Sequence, residues 1–175
     1  VTYPNVIIAS TPAAAGSYSW TIPDAISSTV RVKITNLADT TVFDTSDANF
    51  KISGSLTLSS PNSGESWIIG SSQNITWTKT GSIASAKLEY STDGGTTYPN
   101  LIVASVNATT GTPYVWTIPD NPSPTCRVKI TNTSDTTVFD TSDANFRIRG
   151  SLTVTSPNGA EIWIVGESRN ITWTR

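Results

Sequence analysis

Histidine and methionine are absent from this 175-residue sequence, and cysteine occurs once, as Cys126. Without histidine no Ser-His-Asp or Cys-His pair can form, which removes the commonest nucleophilic chemistries. A lone cysteine makes no disulfide within this stretch, and no CxxC spacing points to a metal. Charged side chains are only 14% of the residues, and the net charge of −2 supplies no basic field for nucleic acid or an anionic lipid surface. No apolar run approaches the roughly 18 residues that a membrane-crossing helix needs, so no membrane insertion is expected. No segment sustains a 3.6-residue apolar period, so helices are not expected either. Composition leaves open a carboxylate pair of the kind that hydrolyses glycosides.

What the sequence does have is repetition. "DTTVFDTSDANF" occupies residues 39–50 and recurs unchanged at 135–146. A shift of 96 places Trp20 on Trp116, Arg31 on Arg127, Trp67 on Trp163 and Trp77 on Trp173, with about 43 of 60 positions identical between 20–79 and 116–175. Upstream the shift is 95, aligning "TYPNVIIAS" (2–10) with "TYPNLIVAS" (97–105). A period near 100 residues is too long for a solenoid unit and suits an immunoglobulin-sized domain. The phase divides the chain into the C-terminal part of a repeat (1–54), one complete repeat (55–150) and the N-terminal part of a further repeat (151–175). Two arrangements fit that phase: a window of a longer tandem array, or a subunit whose ends complete each other head to tail. The continuous array is the simpler of the two.

Within the complete repeat, alternation is strict. Ala86, Leu88 and Tyr90 share one face of "SAKLEYS" (85–91), and Cys126, Val128 and Ile130 share one face of "CRVKIT" (126–131). Ile75 and Trp77 do the same in "NITWTK" (74–79). Period two with one apolar face means antiparallel sheet, one side covered and one wet. "SLTLSS", "SWIIG", "NLIVASV", "YVWTI", "TTVFD" and "NFRIR" supply further short strands, punctuated by Pro-Asn, Asp-Gly-Gly and Ser-Asp. The expected fold is therefore all-β: tandem immunoglobulin-like sandwich domains, antiparallel, with seven to nine strands per repeat. Trp77, Trp116 and Tyr90 are its expected core. Cys126 aligns with Val30, which marks an apolar slot holding an inert thiol.

The run "LTLSSPNSGESWIIGSSQNITWT", "AKLEYSTDGGTTY", "YVWTIPD", "CRVKIT" resembles the module of the Ser/Thr-rich glycosylphosphatidylinositol-anchored family of fungal cell-wall proteins, and similar tandem repeats of microbial surface proteins. The resemblance spans the complete repeat and implies a secreted, wall-associated, immunoglobulin-like module with no known catalytic residues. Ser63 stands where that pattern usually has Gly, and Tyr98 where it often has Trp.

Candidate sites are few. "STDGGTTY" (91–98) resembles the Asp-box of sialidase-type propellers, where the aspartate stabilises a hairpin; here Asp93 is expected to organise a turn rather than process sugar. Asp135, Asp140 and Asp143 could gather Ca²⁺, which takes six to eight oxygens, although their spacing fits no EF-hand and turn capping is the commoner use of such residues. Four sequons, at Asn74, Asn107, Asn132 and Asn170, are glycosylation candidates. Asn74 and Asn170 are one site in two copies and are expected to face outward; Asn107 is expected in a loop. Trp67 could cover a sandwich edge or form a stacking platform for sugar rings, with Tyr3, Tyr18, Tyr98 and Tyr114 as further aromatic candidates. Glu65/Glu161 and Asp24/Asp120 recur in register, as structural residues do. Catalytic residues, cofactors and a resident metal are not expected.

The sequence thus points to a structural tandem-repeat unit of an extracellular, cell-surface protein forming a stalk, sheath or filament. Its expected partners are copies of itself and surface or cell-wall glycans. The rival classes are an adhesin or carbohydrate-binding module, and an accessory domain of a secreted hydrolase.

Overall fold

The computed structural model describes residues 2–108 and 113–175. These residues form fifteen strands and a short 3-10 turn at Ala13–Ala15, with no α-helix among them. They divide into two compact units, Val1–Ser55 with Thr80–Ile83, and Leu56–Lys79 with Ala84–Arg175. The division falls near residue 55, and residues 151–175 group with the second unit.

In the first unit, β1 (Ser27–Val30), β2 (Lys33–Thr35), β3 (Phe43–Thr45) and β4 (Phe50–Ile52) form two antiparallel ribbons, β1 with β4 and β2 with β3. Arg31 stitches the two by donating from Nε to Asn49 Oδ1 (2.8 Å) and from its guanidinium to the Ser46 carbonyl (3.2 Å). The edge of Trp20 meets Phe50 at 6.5 Å. At the other end of the unit, the Ser82 amide and hydroxyl donate to the two Asp24 oxygens, at 3.0 and 2.5 Å.

The second unit holds the complete repeat apart from Ser55 and Thr80–Ile83. Its strands are β5 (Ser55–Ser60), β6 (Ser66–Ile68), β7 (Ser72–Thr80), β8 (Ser85–Ser91), β9 (Asn100–Asn107), β10 (Tyr114–Thr117), β11 (Ser123–Asn132), β12 (Phe139–Thr141) and β13 (Phe146–Arg149). One sheet has the order β10-β7-β5; the other runs β6-β13-β11-β8-β9, with β12 also paired to β11. The register Val128↔Tyr90 and Ile130↔Leu88 gives β8 and β11 a common apolar face. Ala86, Leu88, Tyr90, Cys126, Val128 and Ile130 are all buried there.

The two sheets meet over Trp116 of β10. Its ring lies 5.0 Å from Tyr90, 6.1 Å from Trp67 and 6.4 Å from Phe146, all on the opposite sheet. Aromatic side chains bury 150–250 Å² each, and offset or edge-on pairs add about 0.5–1.5 kcal/mol beyond area. Tyr90 keeps its hydroxyl satisfied by accepting from the Asn121 amide at 3.1 Å. Trp77, expected beside Trp116, is buried on β7 but makes no ring contact with it: Trp116 pairs with Gln73, near the other end of that strand.

Two details differ from the expected antiparallel pattern. The chain leaves the small sheet after β5 and joins the large one as β6, which runs parallel to β13. A strand that changes sheets beside the last strand of its domain is carried in that strand's direction. In "TTVFD", Thr136 and Thr137 form a turn and the strand begins only at Phe139, because Asp135 accepts from the Thr137 amide and hydroxyl.

Residues 151–175 keep the pairing of β5 with β7 in miniature, as β14 (Thr153–Ser156) against β15 (Thr172–Thr174). Their apolar residues lack cover. Trp173 is 62% exposed where its counterpart Trp77 is 5%, and in the first unit Ile34 is 64% exposed where Ile130 is 0%. Identical letters therefore do different work in the partial and complete copies. Ile130→Ala should cost about 2–5 kcal/mol in chemical denaturation, whereas Ile34→Ala should stay within about 0.5 kcal/mol.

Candidate functional site

The best organised polar constellation is the β8–β9 hairpin. Buried Ser91 donates its hydroxyl to Asp93 (2.5 Å) and accepts from the Asp93 and Gly95 amides (3.1 and 2.9 Å). Asp93 also accepts from the Thr97 amide (3.0 Å) and hydroxyl (2.6 Å). Gly94 and Gly95 have φ of 76° and 89°, the left-handed region that the turn requires. Hydrogen bonds from the Ser91 and Thr97 hydroxyls, with the Thr97 amide, hold the Asp93 carboxyl well below its ordinary 3.8. Every bond of this carboxylate closes its own loop, as a turn organiser does.

Asp135, Asp140 and Asp143 do not converge: no group of acidic, His or Cys side chains able to hold a metal exists among the described residues. Each is engaged separately. Asp135 caps the Thr137 turn. Asp140 on β12 accepts from the Leu58 amide of β5 at 2.7 Å. Asp143 accepts from the Asn62 side-chain amide (2.7 Å) while its own N–H donates to Asn62 Oδ1 (2.6 Å). The last two bind the closing strands of a repeat to its opening strand. Asp44 and Asp47, their counterparts in the first unit, are exposed.

Glu65 accepts from the Asn62 and Ser63 amides, and Glu161 from those of Asn158 and Gly159. For Glu65, burial pushes the pKa up, but these N–H bonds prevail and hold it below the ordinary value. Both glutamates end the turn after the Pro-Asn step.

The four sequon asparagines are placed unequally. Asn74 on β7 and Asn170 are exposed, Asn74 on the side opposite Ile75 and Trp77. Asn107 is exposed but is the last residue of β9, opposite Ser85, rather than in a loop; Thr109 of its sequon lies outside the described residues. Asn132 is 6% exposed and its Oδ1 accepts from the Ser134 amide, so a glycan there would need that turn undone.

Trp67 is not an exposed platform: it lies on β6, the edge strand of the larger sheet, and meets Trp116 of β10, the edge strand of the small one. It is 6% exposed and packs on Phe146 at 4.8 Å as well as on Trp116. Tyr98 is half-buried, with the Lys129 ammonium 5.6 Å from its ring and 4.3 Å from that of Phe139. The same ladder recurs in the first unit as Lys33 over Phe43 (4.0 Å) and Tyr3 (6.0 Å). Sequence reading missed it, although "VKI" and "VFD" at fixed separation in both copies carry its signal. Tyr18 is exposed and Tyr114 half-buried. Cys126 is fully buried, and burial pushes its thiol pKa up, so it is an unreactive core side chain.

Comparison of the chain with protein-family models, curated proteins and solved structures returns no match. No helix among the described residues is long and apolar enough to cross a membrane.

Two outcomes follow. Asp140→Ala should lower unfolding stability by about 1–3 kcal/mol, the cost of an unsatisfied amide, with calcium or EDTA leaving the denaturation midpoint unmoved. The Asp93 carboxyl is lowered in the folded state, so its contribution is complete above its unfolded pKa. It should fade as pH falls below about 3.8. Asp93→Asn should flatten that acid-side slope in a pH series of melting curves.

Proposed function

We propose that this chain is a structural segment of an extracellular surface assembly, built from immunoglobulin-like beads in series that serve as stalk, sheath or filament. The strand order supports the immunoglobulin-like assignment: β10-β7-β5 faces β9-β8-β11-β13, and the first strand crosses over to run parallel with the last. A Ser/Thr-rich composition with three exposed sequon asparagines suits an extracellular setting.

The observation that carries the reading is an open cleft in the first unit. A cavity of about 240 Å³ is lined by Val32, Ile34, Asp44 and Asp47. Their counterparts Asp140 and Asp143 hold the opening strand of the complete repeat through Leu58 and Asn62. The cleft therefore has the chemistry to take an opening strand of the same kind by β-augmentation. Residues 151–175 have that sequence, with Val154 and Asn158 at the matching positions and an exposed apolar face.

Pairing of two such ends leaves out one element. β8 lies between β11 and β9 with Ala86, Leu88 and Tyr90 buried, and neither 1–54 nor 151–175 contains its counterpart. End-to-end pairing of separate copies would leave the larger sheet without that interior strand. Denaturing electrophoresis of the native assembly should accordingly give a species far above 18.6 kDa. Bands near that mass would favour separate subunits, and a native particle sedimenting as an 18.6 kDa monomer would overturn the structural reading.

A further inference from the structure

Beyond the strands that complete a bead, the molecule carries one docking seat filled and the same seat open. In the first unit the segment Thr80–Ile83 lies over Gly54. A Cβ added to Gly54 would run into the Thr80 carbonyl oxygen and stand 3.1 Å from Ile83. A Cβ on Gly81 would meet Asp24 Oδ1 at 3.2 Å, the Gly54 Cα at 3.3 Å and Ile26 Cδ1 at 3.4 Å. Both glycines are thus required by the close approach of two backbones. Ser82 fixes the contact with its two bonds to Asp24.

Shifting by 96 turns Asp24, Ile26, Ile52 and Gly54 into Asp120, Pro122, Ile148 and Gly150. In the second unit Pro122, Pro124, Ile148 and Gly150 line an open groove of about 310 Å³, with Arg147 and Arg149 also on its wall. A Cβ on Gly150 would meet nothing within 4 Å. The Asp120 carboxylate is exposed and takes no hydrogen bond from the described residues. The residues that contact Thr80–Ile83 keep their chemistry, a carboxylate, a glycine and an apolar side chain, and what is missing is the loop.

We propose that the groove lined by Pro122, Ile148 and Gly150, together with the exposed Asp120 two residues before Pro122, is the docking seat for a Thr-Gly-Ser-Ile loop presented by a following repeat. The Asp120 carboxylate accepts from the serine amide and hydroxyl, the two glycines allow backbone contact, and the isoleucine covers the apolar floor. This inference rests on the tandem-bead reading and adds to it the surface by which one bead fixes the next. A junction pinned by a charge-assisted pair and a glycine–glycine contact holds a set orientation, which a flexible linker would not.

The test extends the intact chain by appending a copy of residues 80–150 after Arg175. Because Arg175 aligns with Lys79, the extension completes a third repeat and brings a Thr-Gly-Ser-Ile loop into register. Amide hydrogen exchange is read at Ser82, at the appended loop serine and in the appended strands. The appended serine should be protected to the same degree as Ser82. Asp120→Ala should cut that protection roughly tenfold or more, as loss of a hydrogen bond to a charged group does, and leave Ser82 unchanged. Asp24→Ala should do the reverse. Gly150→Ala should leave the 175-residue chain as stable as before and yet release the appended loop. Protected appended strands with a freely exchanging loop serine, or a serine equally protected in Asp120→Ala, would overturn the docking seat and spare the tandem reading. Unprotected appended strands would overturn both.

Discussion

The complete repeat depends on closing two sheets over Trp116. That indole is the one side chain of the small sheet within ring contact of Tyr90, Trp67 and Phe146 on the large sheet. Three separate strands of the larger sheet, β8, β6 and β13, must be in place before the ring is covered. The first unit shows the alternative. Trp20 occupies the same sequence position, but among the described residues Phe50 is its single ring partner, at 6.5 Å. With no counterpart of β6 or β8 in that unit, the alternation that buries Ile130 leaves Ile34 in water. Hydrophobic stabilisation scales with the area removed from water, so a strand pattern is worth little until its facing sheet exists.

Carboxylates in this chain organise backbone. Asp93, Glu65, Asp135 and Asp140 each accept from main-chain amides, three of them within four residues in sequence and the fourth across 82. An acidic side chain so engaged has its charge satisfied by fixed dipoles and is poorly placed to ligate a metal or shuttle a proton. This is how 13 acidic residues are used without an acidic cluster forming among the described residues.

Much of this was legible beforehand. Period-two alternation gave β8 to the residue and assigned the buried faces of β7, β8 and β11, because one-sided burial leaves a direct mark on sequence. The repeat boundary near residue 55 was legible for the same reason that self-similarity is. Three things were not. The parallel pairing of β6 with β13 depends on a strand changing sheets, a tertiary event with no local pattern. The inward position of Trp67 was ambiguous because a single residue in a three-residue strand has no periodicity to orient it. The jobs of Asp140 and Asp143 depend on partners 82 and 81 residues away, so spacing within the loop could suggest a cation and could not reveal Leu58 or Asn62.

Those distant partners also explain why twelve residues recur unchanged. Asp135 caps a turn, Thr137 supplies the donors, and Phe139 lies under Lys129. Asp140 binds Leu58, and Ser142, fully buried, accepts from the Val128 amide at 3.0 Å. Asp143 binds Asn62, Asn145 holds Arg127 at 2.8 Å, and Phe146 enters the aromatic core. Eight of the twelve are thus committed to partners outside the stretch or to its own turn, so a change at any of them breaks a contact elsewhere. The exposed pair Ser134/Ala38, just before the stretch, bonds through its backbone amide, which either residue supplies, and differs between copies. Recurrence of this kind tracks how many bonds a segment makes with the rest of its own domain, and three aspartates kept in place within it are what closing the opening and last strands of that domain together requires.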